Sequence, residues 1–185
     1  MEDKETKFVN RIKERIGRSN KAAAELRRGD SKITEHMSWP HLFAVSYDLP
    51  SNEIEKNRIA YQTIAAAIAR TKFTESVPED QESEESGKKL GVVLAAIKQH
   101  EHVGDDESPL DIRLRRLIGC SSVKEVCRVL RPLLSLLRAR GYGEKLDYVH
   151  LLYQLKWFDY PDSREKTKIE WVSDYYGGKK GASDE

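Results

Sequence analysis

A chain of 185 residues, 38% hydrophobic and 34% charged, with a mean hydropathy of −0.68, can furnish one core, or one core with a small appended lobe. No apolar run approaches the roughly 20 residues of a membrane span, and the polar opening MEDKETKF is unlike a signal peptide, so a cytoplasmic protein without a membrane is expected. The net charge of +1 hides a segregation: residues 108–145 hold seven Arg and two Lys against three acids, whereas 74–86 hold six acids and no base.

In chain order, Phe8, Ile12 and Ile16 form a single apolar stripe on a helix over 4–18. Ser19 or Asn20 caps a short second helix over 20–28, which Gly29-Asp30 stops and which ends in Arg27 and Arg28. Trp39-Pro40 opens another short helix. Asn52 with Glu55 has the form of a capping box for a helix running to Arg70. The acidic, Ser-rich stretch 74–87 reads as a flexible loop.

Beyond it, KKLGVVLAAIKQ predicts a buried helix over 88–99. Ser108-Pro109 supplies an N-cap and first-turn proline for a helix over 109–118, with Arg113 and Arg116 on one face. Gly119 breaks the chain, and Ser122 with Glu125 caps the next helix, in which Pro132 implies a kink or a restart. Helices over 144–158 and from Asp162 to Tyr176 complete the set, and 177–185 read as a disordered tail. No alternating strand pattern occurs. The expected fold is all-α, about eight helices in two small bundles, 1–73 and 88–176, joined by the acidic loop 74–87.

Little points to catalysis. Cys120 and Cys127 lie about 10 Å apart along a helix, too far for a bridge, and read as buried thiols. His100-Glu101-His102 resembles a metal triple on paper, but residues two apart do not share a helix face, and Asp105, Asp106 and Glu107 lack calcium-loop spacing. There is no Walker, GxGxxG or GxSxG motif. A non-enzymatic chain with neither metal nor cofactor is the expectation.

The stronger signal is cationic. Lys124, Arg128, Arg131 and Arg138, at steps of four, three and seven, fall in one narrow sector of a helix whose other side carries Val123, Val126, Leu130, Leu133, Leu134 and Leu137. Guanidinium groups suit bidentate phosphate contact. No aromatic is interleaved with the row, which argues for backbone contact rather than base stacking and for salt-sensitive, sequence-independent binding. The rival reading is a helical adaptor acting only through protein–protein contacts, with Trp157, Phe158, Trp171 and Tyr175 as anchors.

The segments AAAELRRG and WPHLFAV, KKLGVVLAAI, LDIRLRRLIGCSSVKEVCRVLRPLLSLL and LDYVHLLYQLKWFDYPDSREKTKIEWVSDYY, in that order over 15–176, resemble the small subunit of the type I-E CRISPR surveillance complex, Cascade (the CasB family). That resemblance implies a non-catalytic, all-helical subunit, present as two copies beside the backbone and large subunits. It implies a role in holding the guide RNA–target duplex and the displaced DNA strand, so that the R-loop stays open. By position it implies nucleic-acid contact at Arg27 and Arg28, at Arg113 and Arg131, and at Lys56. The chain departs from the family pattern at Val92 and Gly119, where basic residues are usual.

Overall fold

A computed structural model of the chain describes residues 3–50, 52–71, 87–101 and 108–177. Among them are ten α-helices: α1 (Lys4–Arg18), α2 (Asn20–Arg27), α3 (Trp39–Val45), α4 (Glu53–Lys56), α5 (Arg58–Arg70), α6 (Leu90–Glu101), α7 (Pro109–Gly119), α8 (Val123–Ala139), α9 (Tyr148–Lys156) and α10 (Pro161–Gly177). The expected acidic loop (but for Gly87) and the expected tail beyond Gly177 lie outside the described residues. The fold is all-α, and no described helix is long and apolar enough to cross a membrane.

Helix starts follow local chemistry. Asp3 accepts the Thr6 amide at 2.8 Å, and Ser19 accepts that of Ala22 at 3.2 Å. Before α7, Ser108 and Asp111 form a reciprocal capping box, the Asp111 carboxylate taking the Ser108 amide at 2.8 Å.

Three local expectations change. The helix expected from Asn52 to Arg70 is broken at Asn57, and Asn52 makes no side-chain cap. Asn57 Nδ2 donates to the Glu53 carbonyl at 3.2 Å, a side-chain bond that competes with continued helix. The helix expected from Lys88 starts at Leu90, because Lys88 forms an isolated parallel bridge with Leu146: its amide reaches the Lys145 carbonyl at 2.6 Å and its carbonyl takes the Asp147 amide at 2.9 Å. The same bridge delays α9 to Tyr148. Pro132 neither ends nor restarts α8, which runs through it as one helix.

α5 is the hub. From Ala60 to Ala69 every residue is buried, and its alanines let α1, α2, α8 and α9 approach closely. α10 packs along α6, where Gly91 leaves room for the Trp171 carbonyl. The buried apolar residues form one cluster from Phe8 to Tyr175, and Cys120 and Cys127 lie in it as free thiols.

Candidate nucleic-acid interface

α8 fixes the cationic row. Ser122 accepts the Glu125 amide at 3.3 Å and sets where the helix begins. The side carrying Val126, Cys127, Leu130, Leu133, Leu134 and Leu137 is buried. The other side exposes Lys124, Arg128, Ser135 and Arg138, with Arg131 half-buried between them. From Lys124 to Arg138 the row spans about 21 Å. Lys124, Arg128 and Arg138 make no side-chain hydrogen bond or ion pair among the described residues. The acid nearest in sequence, Glu125, is occupied by the Ser121 amide and hydroxyl at 2.8 and 3.0 Å, which hold its carboxyl below the usual range.

The fold adds cations that are remote in sequence. Arg131 donates to the Asp30 carbonyl at 2.9 Å and to the Thr63 hydroxyl at 3.3 Å, and its Nε lies 3.2 Å from the Asp30 carboxylate. Arg70, the last residue of α5, also pairs with the Asp30 carboxylate and donates to the Arg27 carbonyl at 2.5 Å. Arg27 in turn donates to the Ala69 carbonyl at 2.8 Å. Asp30, Thr63, Arg70, Arg131, Ser135 and Arg138 line one small cavity, with room for about one water molecule (about 10 Å³). Burial pushes the Asp30 carboxyl above its ordinary range, against the pull of Arg70 and Arg131. Beside the cavity a groove of about 440 Å³ is lined by Arg70, Arg138, Gly141 and Gly143 among others. One carboxylate thus holds two guanidiniums while the exposed cations Arg27 and Arg138 flank them.

Arg70 was not read as a site residue from the sequence, where its only signal was a cation ending a helix. Arg28 is exposed and touches the Met37 sulfur at 3.5 Å. Arg113 is half-buried and Arg116 exposed on α7, which packs against α8. Lys56 does not join this group. It is exposed on α4 and lines a different groove with Lys4, Trp157 and Tyr160. Of the two departure positions, Val92 is 38% exposed and Gly119 faces open space.

Two other sequence readings meet the structure here. Among the described residues no cluster of three His, Cys, Asp or Glu is placed to hold a metal; His102 and 105–107 lie outside them, and Glu101 pairs with Arg140. Of the four aromatic anchors, only Trp157 is at the surface. Phe158, Trp171 and Tyr175 are 0, 1 and 5% exposed. Phe158 stacks on Trp171 with centroids 6.0 Å apart, and the Trp171 indole donates to Gln154 at 2.8 Å, so these residues build the core between α9 and α10.

A family model described as CRISPR-associated protein Cse2 matches residues 22–176. Among curated proteins none matches the sequence. A chain from a solved structure titled CRISPR RNA-guided surveillance complex superposes with a TM-score of 0.66 at 22% identity, covering 92% of this chain and 90% of that one. At that identity the likeness is one of fold.

Proposed function

The chain belongs to the CRISPR-associated protein Cse2 family, and from that premise we propose that it is a non-catalytic, nucleic-acid-binding subunit of an RNA-guided surveillance complex. In this role it works beside the backbone and large subunits and a second copy of itself in the cytoplasm. The observation that carries the reading is the α8 row, in which Lys124, Arg128 and Arg138 are exposed and make no side-chain hydrogen bond or salt bridge among the described residues.

Such a row favours phosphates for a physical reason. Cations already paired gain little from a new anion, whereas unpaired ones neutralise phosphates and so release the counterions condensed on the nucleic acid. Phosphate contacts fix register and path, not sequence, and in RNA-guided recognition base pairing reads sequence. The subunit is therefore suited to hold the backbones of the guide RNA–target duplex and the displaced strand while the R-loop persists. Arg131 and Arg70, tied to Asp30, keep the row against α5 and offer their remaining donors to its floor.

The test is a salt titration of single-stranded DNA binding by the wild type and by Arg128→Glu/Arg138→Glu, with Lys166→Glu on α10 as a charge control. Each lost phosphate contact lowers the slope of log affinity against log salt by about 0.7 on a single strand. A drop of about 1.4 for the double variant, with the control unchanged, is expected, together with shorter-lived R-loops on the assembled complex. Equal affinities and slopes for all three proteins would overturn the reading.

A further inference from the structure

The cationic row has no aromatic within its own helix, yet hydrogen bonds tie its N-terminal end to a turn that follows a helix with exposed rings. The turn that follows α9 is fastened to the start of α8: Asp159 accepts the Val123 amide at 2.7 Å, and Arg164 donates to the Ser121 carbonyl at 2.8 Å. Lys124, the first cation of the row, is the next residue. On α9 and this turn, Tyr153, Trp157 and Tyr160 line one groove and are 53, 42 and 58% exposed. Their ring centroids are 6.5 Å apart for Tyr153–Trp157 and 5.4 Å for Trp157–Tyr160, tilted at 55° and 49°, so they do not close face to face on one another.

The charges around these rings are sorted. In the groove they line, Glu5 and Glu53 are both taken by the buried ammonium of Lys156, and the Asp159 carboxylate is taken by the Val123 amide. Lys4 and Lys56 remain as exposed cations on the rim. Aromatic faces bordered by lysines, beside a longer row of cations, match the chemistry of an unpaired nucleic-acid strand: rings for bases, cations for phosphates. A partner protein anchored by these rings has no such need of Lys4, Lys56 and Lys124 around it.

We infer that Trp157, with Tyr153 and Tyr160, is a stacking platform for unpaired bases of a single strand whose phosphates run along Lys124, Arg128 and Arg138. The inference rests on the phosphate-binding reading above and adds base contact to it. It also gives Lys56, stranded from the other cations, a place beside the same strand.

The test separates base from backbone. Wild type, Trp157→Ala and Trp157→Phe are titrated with an oligothymidylate of about 16 nucleotides, the upper end of site sizes for such grooves, and with an abasic oligomer of equal length. Thermal melting checks that each variant is folded. The platform predicts that the wild type prefers the oligothymidylate. It also predicts that Trp157→Ala loses about tenfold on it and nothing on the abasic strand, and that Trp157→Phe keeps most of the affinity. Equal binding of the oligothymidylate by wild type and Trp157→Ala overturns the platform and leaves the phosphate reading standing. If that same variant falls out of the assembled complex, the rings serve a protein partner instead. Failure of the wild type to bind either strand overturns both readings.

Discussion

Replacing Lys156 by Met is the sharpest probe of how α9 is tied to the first part of the chain. The Lys156 side chain is 7% exposed, its ammonium pairs with Glu5 of α1 and lies 2.5 Å from the Glu53 carboxylate of α4, and it sits 5.7 Å from the Tyr61 ring. Burial alone would lower its pKa, but the two carboxylates more than offset that and hold it above the ordinary lysine value. Removing the cation takes the ammonium partner from two carboxylates that are 11 and 18% exposed, and leaves Glu53 the Tyr61 hydroxyl at 3.2 Å. Loss of one member of a buried ion pair costs about 3–5 kcal/mol. In a chain of this length that corresponds to a fall in Tm of roughly 6–20 °C, readable by circular dichroism. The pH dependence is the diagnostic part. In the wild type, burial raises the Glu53 pKa, but Lys156 and the Tyr61 hydroxyl bring it below the ordinary 4.5, so its stabilisation is present above that value and lost on acidification. In the variant the burial that raises the Glu53 pKa is no longer opposed by Lys156, so stability is present at low pH and lost as pH rises through its folded pKa. The Tm deficit must therefore grow from about pH 4 to pH 7, and Glu53→Gln in the Lys156→Met background must recover part of it. A deficit below about 2 °C, or one independent of pH, would refute the argument.

Gly91→Ala should destabilise by about 1–3 kcal/mol or more, since its Cβ would lie 2.6 Å from both the Trp171 carbonyl and the Asp174 Cβ; a wild-type melting curve would contradict the close α6–α10 approach. Asp111→Asn should cost roughly 3 kcal/mol at neutral pH, because Asp111 receives Lys98 at 2.9 and 3.0 Å, the Ser108 amide at 2.8 Å and the Tyr176 hydroxyl at 3.1 Å. Burial works against these bonds, which nevertheless hold its pKa below the ordinary 3.8, so the wild-type advantage is present above that value and fades as pH falls through the folded pKa; a deficit that persists in strong acid would refute the assignment. Burial pushes the Cys127 thiol up to about 12, so thiol reagents should label it only after denaturant is added, and labelling of the native protein at the rate of a free thiol would show the core to be open there.

What the sequence could convey depended on how local the cause was. The buried side of α8 is readable because Val126, Leu130, Leu133 and Leu137 repeat at helical period, and the start of α7 because Ser108 and Asp111 are three residues apart. The break at Asn57 is local too, but it rests on a side-chain bond to Glu53 that competes with an equally plausible cap at Asn52. The site itself was half readable. Periodicity says that Lys124, Arg128, Arg131 and Arg138 share a side; it cannot say which of them the fold spends internally. Arg131 turns to Asp30, 101 residues away, so the guanidinium at the middle of the row anchors α8 to the first part of the chain while those on either side of it face outward. Asp30 recruits Arg70 to the same cavity across 40 positions, again beyond any window of sequence. The absence of aromatics from the row has the same weakness as evidence against stacking: Asp159 reaches across 36 positions to the Val123 amide and ties the turn that holds Trp157 and Tyr160 to the start of α8. A strand lying along α8 would meet rings that no period of α8 contains. The linear pattern thus describes one helix, whereas the surface proposed to meet a polyanion is composed by contacts among α2, α5, α8 and the turn after α9.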